Sequence, residues 1–166
     1  MQHNRQLDVK NDTFSFPISK GRIEGLVLVG LVATGAFDLV MYADMAITGI
    51  PLEIPNVLGG LVLGDDHQYV EPVGRLIHLG NGIGLALLFG FVALPISKKL
   101  VKLPTIVYGI AFAAVELVVA VWLGMLPALG AGLAGLNIGP EVPIVTLLRH
   151  IAFGAVLGIS VRRWNH

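Results

Sequence analysis

Cysteine is absent from the 166 residues. That excludes disulfides, zinc–thiolate centres, iron–sulfur clusters and cysteine nucleophiles together. Charge is scarce as well: Asp, Glu, Lys and Arg make up 13% of the chain, where a soluble domain carries about 25%. Nor does one sign dominate, because 11 Lys and Arg balance 11 Asp and Glu. No basic surface is left over for a nucleic-acid backbone. What the chain has is apolar length. Hydrophobic residues reach 55%, mean hydropathy is +0.80, and there are 21 glycines, a residue that membrane helices tolerate well. A free soluble domain is excluded. The composition implies an all-α, polytopic membrane protein in contact with a lipid bilayer.

A hydrocarbon core of about 30 Å needs about 20 mostly apolar residues as helix. Four stretches satisfy this, at roughly 23–45, 73–96, 105–126 and 142–161. Residues 1–22 then form a polar tail, 23–161 a four-helix transmembrane domain, and 162–166 a short polar end. No short apolar run lies close to Met1, so the first helix is expected to be an uncleaved anchor. Segment 14–18 (Phe-Ser-Phe-Pro-Ile) is expected either at the interface or in a flexible linker.

Lys and Arg set the orientation. One side of the four spans collects Arg5, Lys10, Lys20, Arg22, Lys98, Lys99, Lys102, Arg162 and Arg163. The other has only Arg75 and Arg149, both inside helices. Both termini are therefore expected in the cytoplasm, with the protein in the cell membrane. The outer connection 46–72 contains Ile-Pro-Asn-Val-Leu-Gly-Gly-Leu-Val-Leu from residue 54. That run is too short to span and suits a short interfacial helix with Pro55 in its first turn. The outer connection 127–140 has no charge at all. An irregular apolar loop needs cover, from its own bundle or from another subunit.

Ionisable residues inside spans are costly and point to function. Here they are Asp38, Asp44, Arg75, His78, Glu116, Arg149 and His150. At 1.5 Å per residue, Asp38 and His78 lie about 7–8 Å below the outer edge, and Glu116, Arg149 and His150 about 10–13 Å. Matched depth predicts that Asp38 pairs with His78, and Glu116 with Arg149 or His150. Three uses remain open. Asp38, Arg75, His78, Glu116, Arg149 and His150 are structural ion pairs that fix register. Alternatively Asp38, His78, Glu116 and His150 hold a transition metal, or His78 and His150 are the axial ligands of a haem. Thirdly, the carboxylate–histidine chain carries protons or a solute. Absence of any cofactor is the simplest of these expectations. No Glu-x-x-His pair suggests a di-iron bundle. The serines (Ser15, Ser19, Ser97 and Ser160) lie away from both intramembrane histidines, so a Ser/His/Asp triad has no support. Asp65-Asp66-His67-Gln68-Tyr69 is either a solvated turn or a weak cation site.

Two half-matches suggest a repeat of helix, outer loop, helix. Gly25-Leu26-Val27-Leu28 aligns with Gly109-Ile110-Ala111-Phe112, which places Met41 opposite Met125. Arg75-Leu76-Ile77-His78 resembles Leu147-Leu148-Arg149-His150. Gly21/Gly25, Gly80/Gly84 and Gly154/Gly158 have small-xxx-small spacing, with Gly82 beside the second pair, and predict close helix packing. The Gly80-Asn81-Gly82-Ile83-Gly84 run lies inside a membrane helix. It therefore lacks the strand–turn–helix context of a dinucleotide site.

The stretches Gly21-Arg22-Ile23-Glu24-Gly25, Val32-Ala33-Thr34-Gly35 with Met41, Gly49-Ile50-Pro51-Leu52, Ile54-Pro55-Asn56-Val57 and His78-Leu79-Gly80-Asn81-Gly82 together resemble a family of small uncharacterised four-helix membrane proteins of bacteria and archaea. The resemblance covers most of residues 21–160. It implies the four-helix architecture and draws interest to His78 and Asn81, and it brings no activity, cofactor or partner. The expected role is a non-catalytic accessory or structural subunit of a larger membrane complex, for example a redox complex such as a respiratory oxidase or a membrane monooxygenase. Its partners would be other membrane subunits, and a neighbour would order its polar tail. The alternatives are a haem- or metal-binding protein, or a stand-alone proton or solute transporter acting as a homo-oligomer.

Overall fold

The computed structural model describes residues 19–162. Residues 1–18 of the polar tail, with the 14–18 segment, the proposed neighbour and the basic residues Arg5 and Lys10, lie outside the described residues, as does the end beyond residue 162, while residues 20–22 already belong to the first helix. Five helices follow one another: α1 (Lys20–Thr48), α2 (Ile54–Leu63), α3 (Val70–Leu100), α4 (Thr105–Ala128) and α5 (Val142–Arg162). No strand occurs among the described residues. Four of the helices are long and apolar enough to cross a membrane, and the short α2 is the fifth. This is the architecture of a multi-pass membrane protein.

Local chemistry sets the ends. Ser19 caps α1 by accepting from the Arg22 amide at 3.3 Å, as an N-cap hydroxyl does. Gly49 closes the same helix at φ 73°, its N–H bonded back to Met45 O, the left-handed stop that glycine supplies without strain. Pro55 lies in the first turn of α2. The amide of Ile54 finds an acceptor in the Met41 thioether, 3.3 Å away.

α1 packs against both α3 and α5, while α4 packs on α5 and α2 on α3. Glycines make the close crossings. A methyl on Gly30 would strike the backbone of Gly82 and Ile83, and one on Gly109 would strike Gly154 and Gly158. Gly59 and Gly74 likewise let α2 lie directly on the α3 backbone. Gly154 and Gly158 therefore act as their spacing predicts. Gly80 and Gly84 do not: nothing lies within 4 Å of either position. The contacting glycines of α3 are Gly74, Gly82 and, against the Leu26 side chain, Gly90.

Two helices change pitch. α3 opens into a π stretch at Phe89–Ala93, and α4 does so at Leu117–Met125. Each stretch ends two residues before a proline, Pro95 and Pro127. Proline lacks an N–H and its ring clashes with the carbonyl four residues back; a wider turn relieves the clash. In α3 the Leu94 amide bonds to Phe89 O and Pro95 has none to give, which frees the Gly90 carbonyl. Arg22 Nη2 donates to that carbonyl at 3.0 Å, tying the start of α1 to the widened turn.

The 127–140 connection folds on itself. The Asn137 amide donates to Ala131 O at 2.9 Å, and Asn137 Nδ2 donates to Gly130 O at 3.1 Å. A 3-10 turn at Leu133–Gly135 uses further backbone groups. The loop thus satisfies much of its own backbone and leaves leucines outside.

Candidate functional site

Four helices bring two carboxylate–imidazole pairs into the half of the bundle that carries α2. Asp38 of α1 and His78 of α3 meet at 3.0 Å, Oδ1 to Nε2. Glu116 of α4 and His150 of α5 meet at 3.1 Å, Oε2 to Nε2. In each half of the chain the acid comes from the first span and the imidazole from the second. Phe37 separates the two pairs. Its ring packs edge-on against His78 at 5.1 Å and against His150 at 5.2 Å between centroids.

Hydrogen-bond partners constrain the protons. His150 Nδ1 faces the Thr146 carbonyl at 2.7 Å. A carbonyl only accepts, so Nδ1 carries a hydrogen. Nε2 faces Glu116 Oε2 at 3.1 Å, an ion pair when the imidazole is protonated. His78 differs. Nε2 is engaged with Asp38, whereas Nδ1 makes no hydrogen bond among the described residues. It is not a sealed orphan, because no unpartnered side-chain nitrogen or oxygen is fully buried there. His78 is itself buried and lines an interior space.

That space is a cavity of about 180 Å³, lined among others by His78, Asn81, Glu116, Thr146 and His150. Phe37, Phe153 and Met125 add apolar walls, and Ile54 and Leu58 bring α2 over one end. The contribution of α4 follows from its π stretch. Glu116, Ala120, Val121 and Met125 all line the cavity, a spacing of four, one and four residues. An α-helix of 3.6 residues per turn would rotate the last of these away; the wider turn keeps all four on one side.

The remaining intramembrane charges are paired differently from the depth argument. Arg149 meets neither Glu116 nor His150. It binds Asp44 through Nε at 2.7 Å and Nη2 at 2.5 Å, and Nη1 donates to Leu52 O at 2.8 Å. Glu116 takes His150, the other of its two expected partners. Arg75, one turn before His78 on α3, has Glu71 at 2.6 Å, Glu53 at 3.7 Å and Asp38 at 3.9 Å. Tyr42 bridges there, accepting from Arg75 at 2.9 Å and donating to Glu53 at 2.8 Å. Sequence reasoning missed Tyr42, Glu53 and Glu71, whose hydrogen-bonding side chains sit at helix ends where polar residues are ordinary.

Among the described residues, no three His, Asp or Glu side chains converge as a metal set. For haem, His150 has Nδ1 on the Thr146 carbonyl and Nε2 on Glu116 and Phe37 packs on both imidazoles, so axial ligation by His150 would require one of its two polar contacts to break. The 65–69 run is a turn in which His67 Nδ1 accepts from the Tyr69 amide at 3.2 Å.

Residues 23–166 match the model of a family of unknown function, DUF6789; the chain belongs to that family. No curated protein and no solved structure matches it.

Proposed function

We propose that this DUF6789 member is a non-catalytic subunit of a larger membrane complex, with both termini on the cytoplasmic side of the cell membrane. The observation that supports it most is an apolar rim at the α2 end. Leu133 and Leu136 of the 127–140 loop are 58% and 54% exposed, and Leu61 and Val62 of α2 are 54% and 64% exposed. Both segments lie outside the four spanning helices, and Leu61 shares a groove with Leu129 and Ile138 of the 127–140 loop. Exposed apolar surface outside the spans marks an interaction site. Gentle detergent extraction followed by native mass measurement tests it. The expected result is co-migration with larger, different polypeptides, lost on Leu133→Glu. A clean monomer or homo-oligomer would overturn it.

A second reading has its own observation, the two carboxylate–imidazole pairs on one cavity. It makes the chain a stand-alone proton carrier, in which the Glu116–His150 proton is handed across the cavity to His78. Liposomes containing the purified chain alone would then show proton flux, abolished by Glu116→Gln. Flux equal to that of protein-free liposomes would remove this reading.

A further inference from the structure

We propose that the cavity binds the head group of a lipid-soluble quinone or quinol, entering from the membrane between α3 and α4. The inference does not depend on whether the chain has partners.

It starts from polar atoms that the protein leaves unused. His78 is buried, and its Nδ1 has no protein partner. The Asn81 side chain, one turn along α3, makes no hydrogen bond among the described residues either. Glu116 uses Oε2 on His150 and leaves Oε1. All three residues line the same cavity. None of these atoms is sealed off, so each is open to a partner from outside the chain, and a polar group left without one in hydrocarbon costs free energy. The cavity is therefore built for polar contact with something that is not part of the chain.

The lining also selects the chemistry. His78 Nε2 is engaged by Asp38, so in the neutral ring Nδ1 is an acceptor, as is Glu116 Oε1 when ionised. Asn81 offers both a donor and an acceptor. Acceptors suit a hydroxyl head; donors suit a carbonyl head. Asn81 and His78 lie on α3, Glu116 on α4, so the two sets face each other across the gap. A ring with oxygens at opposite ends, stable both as carbonyl and as hydroxyl, meets both walls. Phe37, Phe153 and Met125 supply apolar contact for its faces.

Size and access agree. Sites that enclose a whole drug-sized molecule span roughly 300–1,000 Å³. About 180 Å³ takes one ring and not a long tail. Asn81 and Ala120 both line the cavity and are exposed on the outside of the bundle, on α3 and α4 respectively. The opening between them lies along the helices, where a membrane protein meets lipid chains. The tail of the ligand stays there. Gly80 and Gly84, exposed beside Asn81, leave that side of α3 bare.

The protein supplies its own reporter. Trp122 donates to Thr146 Oγ1 at 3.0 Å, and Thr146 lines the cavity. With the chain's other tryptophan removed by Trp164→Phe, emission comes from Trp122 alone. The full chain in nanodiscs would be titrated with a benzoquinone carrying a decyl tail, and with decanol as the ring-free control. The expected result is saturable quenching by the quinone, not displaced by decanol. Apparent affinity should fall at least tenfold in His78→Gln and in Ala120→Phe, which narrows the opening from the outside and leaves the buried pairs untouched. Quenching that rises without saturation and is equal in all variants would overturn the proposal. So would equal competition by decanol, which would mean a site for any hydroxylated chain.

Discussion

Arg149 and His78 occupy the same half of the bundle, both buried, yet they end in opposite conditions. Arg149 places Nε, Nη1 and Nη2 on Asp44 and on Leu52 O, and its side chain has no exposed surface. Each of its three nitrogens has a partner inside the protein. His78 lines the cavity, satisfies one nitrogen on Asp38 and leaves the other without a partner among the described residues. The first arrangement joins α5 to the α2 end of α1 and to the chain that follows it. The second keeps an interaction in reserve. Closure marks a polar group that holds the fold; an unused valence marks one that meets something else.

The largest effect should come from opening the closed cluster. Arg149→Ala leaves Asp44 buried without its cation, and removing one partner of a buried pair costs about 3–5 kcal/mol. Unfolding of the purified chain by denaturant in mixed micelles would show it. The double variant Asp44→Leu/Arg149→Met removes both charges and should recover most of that loss, since apolar replacement of a whole buried pair is often neutral. A double variant as unstable as the single one would mean that Arg149 acts chiefly through Leu52 O. At the other end of the scale stands Asp38–His78. A double-mutant cycle with Asp38→Asn and His78→Gln should give a coupling of about 0.6 kcal/mol, the average for a hydrogen bond between membrane helices. A coupling as large as that at Arg149 would erase the distinction between the two clusters.

The spans were legible because each is a long apolar run, and Asp38 found His78 because both lie at one depth. Depth failed for Arg149. Asp44 lies close to the end of α1, and a depth count does not see that an arginine reaches several ångströms along the bundle. Spacing failed for Gly80 and Gly84, since a four-residue repeat fixes that two glycines share a face but not which neighbour that face meets. The side of α4 that lines the cavity was hidden for a third reason. Pro127 is visible in the sequence, but the turn it widens lies upstream, among Leu, Val and Ala residues that carry no mark of it. Asn81 drew attention only through a family resemblance. Its idle amide is a property of the folded neighbourhood.

The widened turns of α4 also tie its pitch to its length. Glu116 and Met125 both line the cavity, yet at the pitch of an ordinary helix their spacing would set them about 180° apart. Glu116 could then still reach His150, or Met125 could still line the cavity, but not both. Deleting one residue between them would cut that angle to about 80°, so a one-residue deletion in 117–125 is the change expected to straighten α4 while keeping both ends on the bundle.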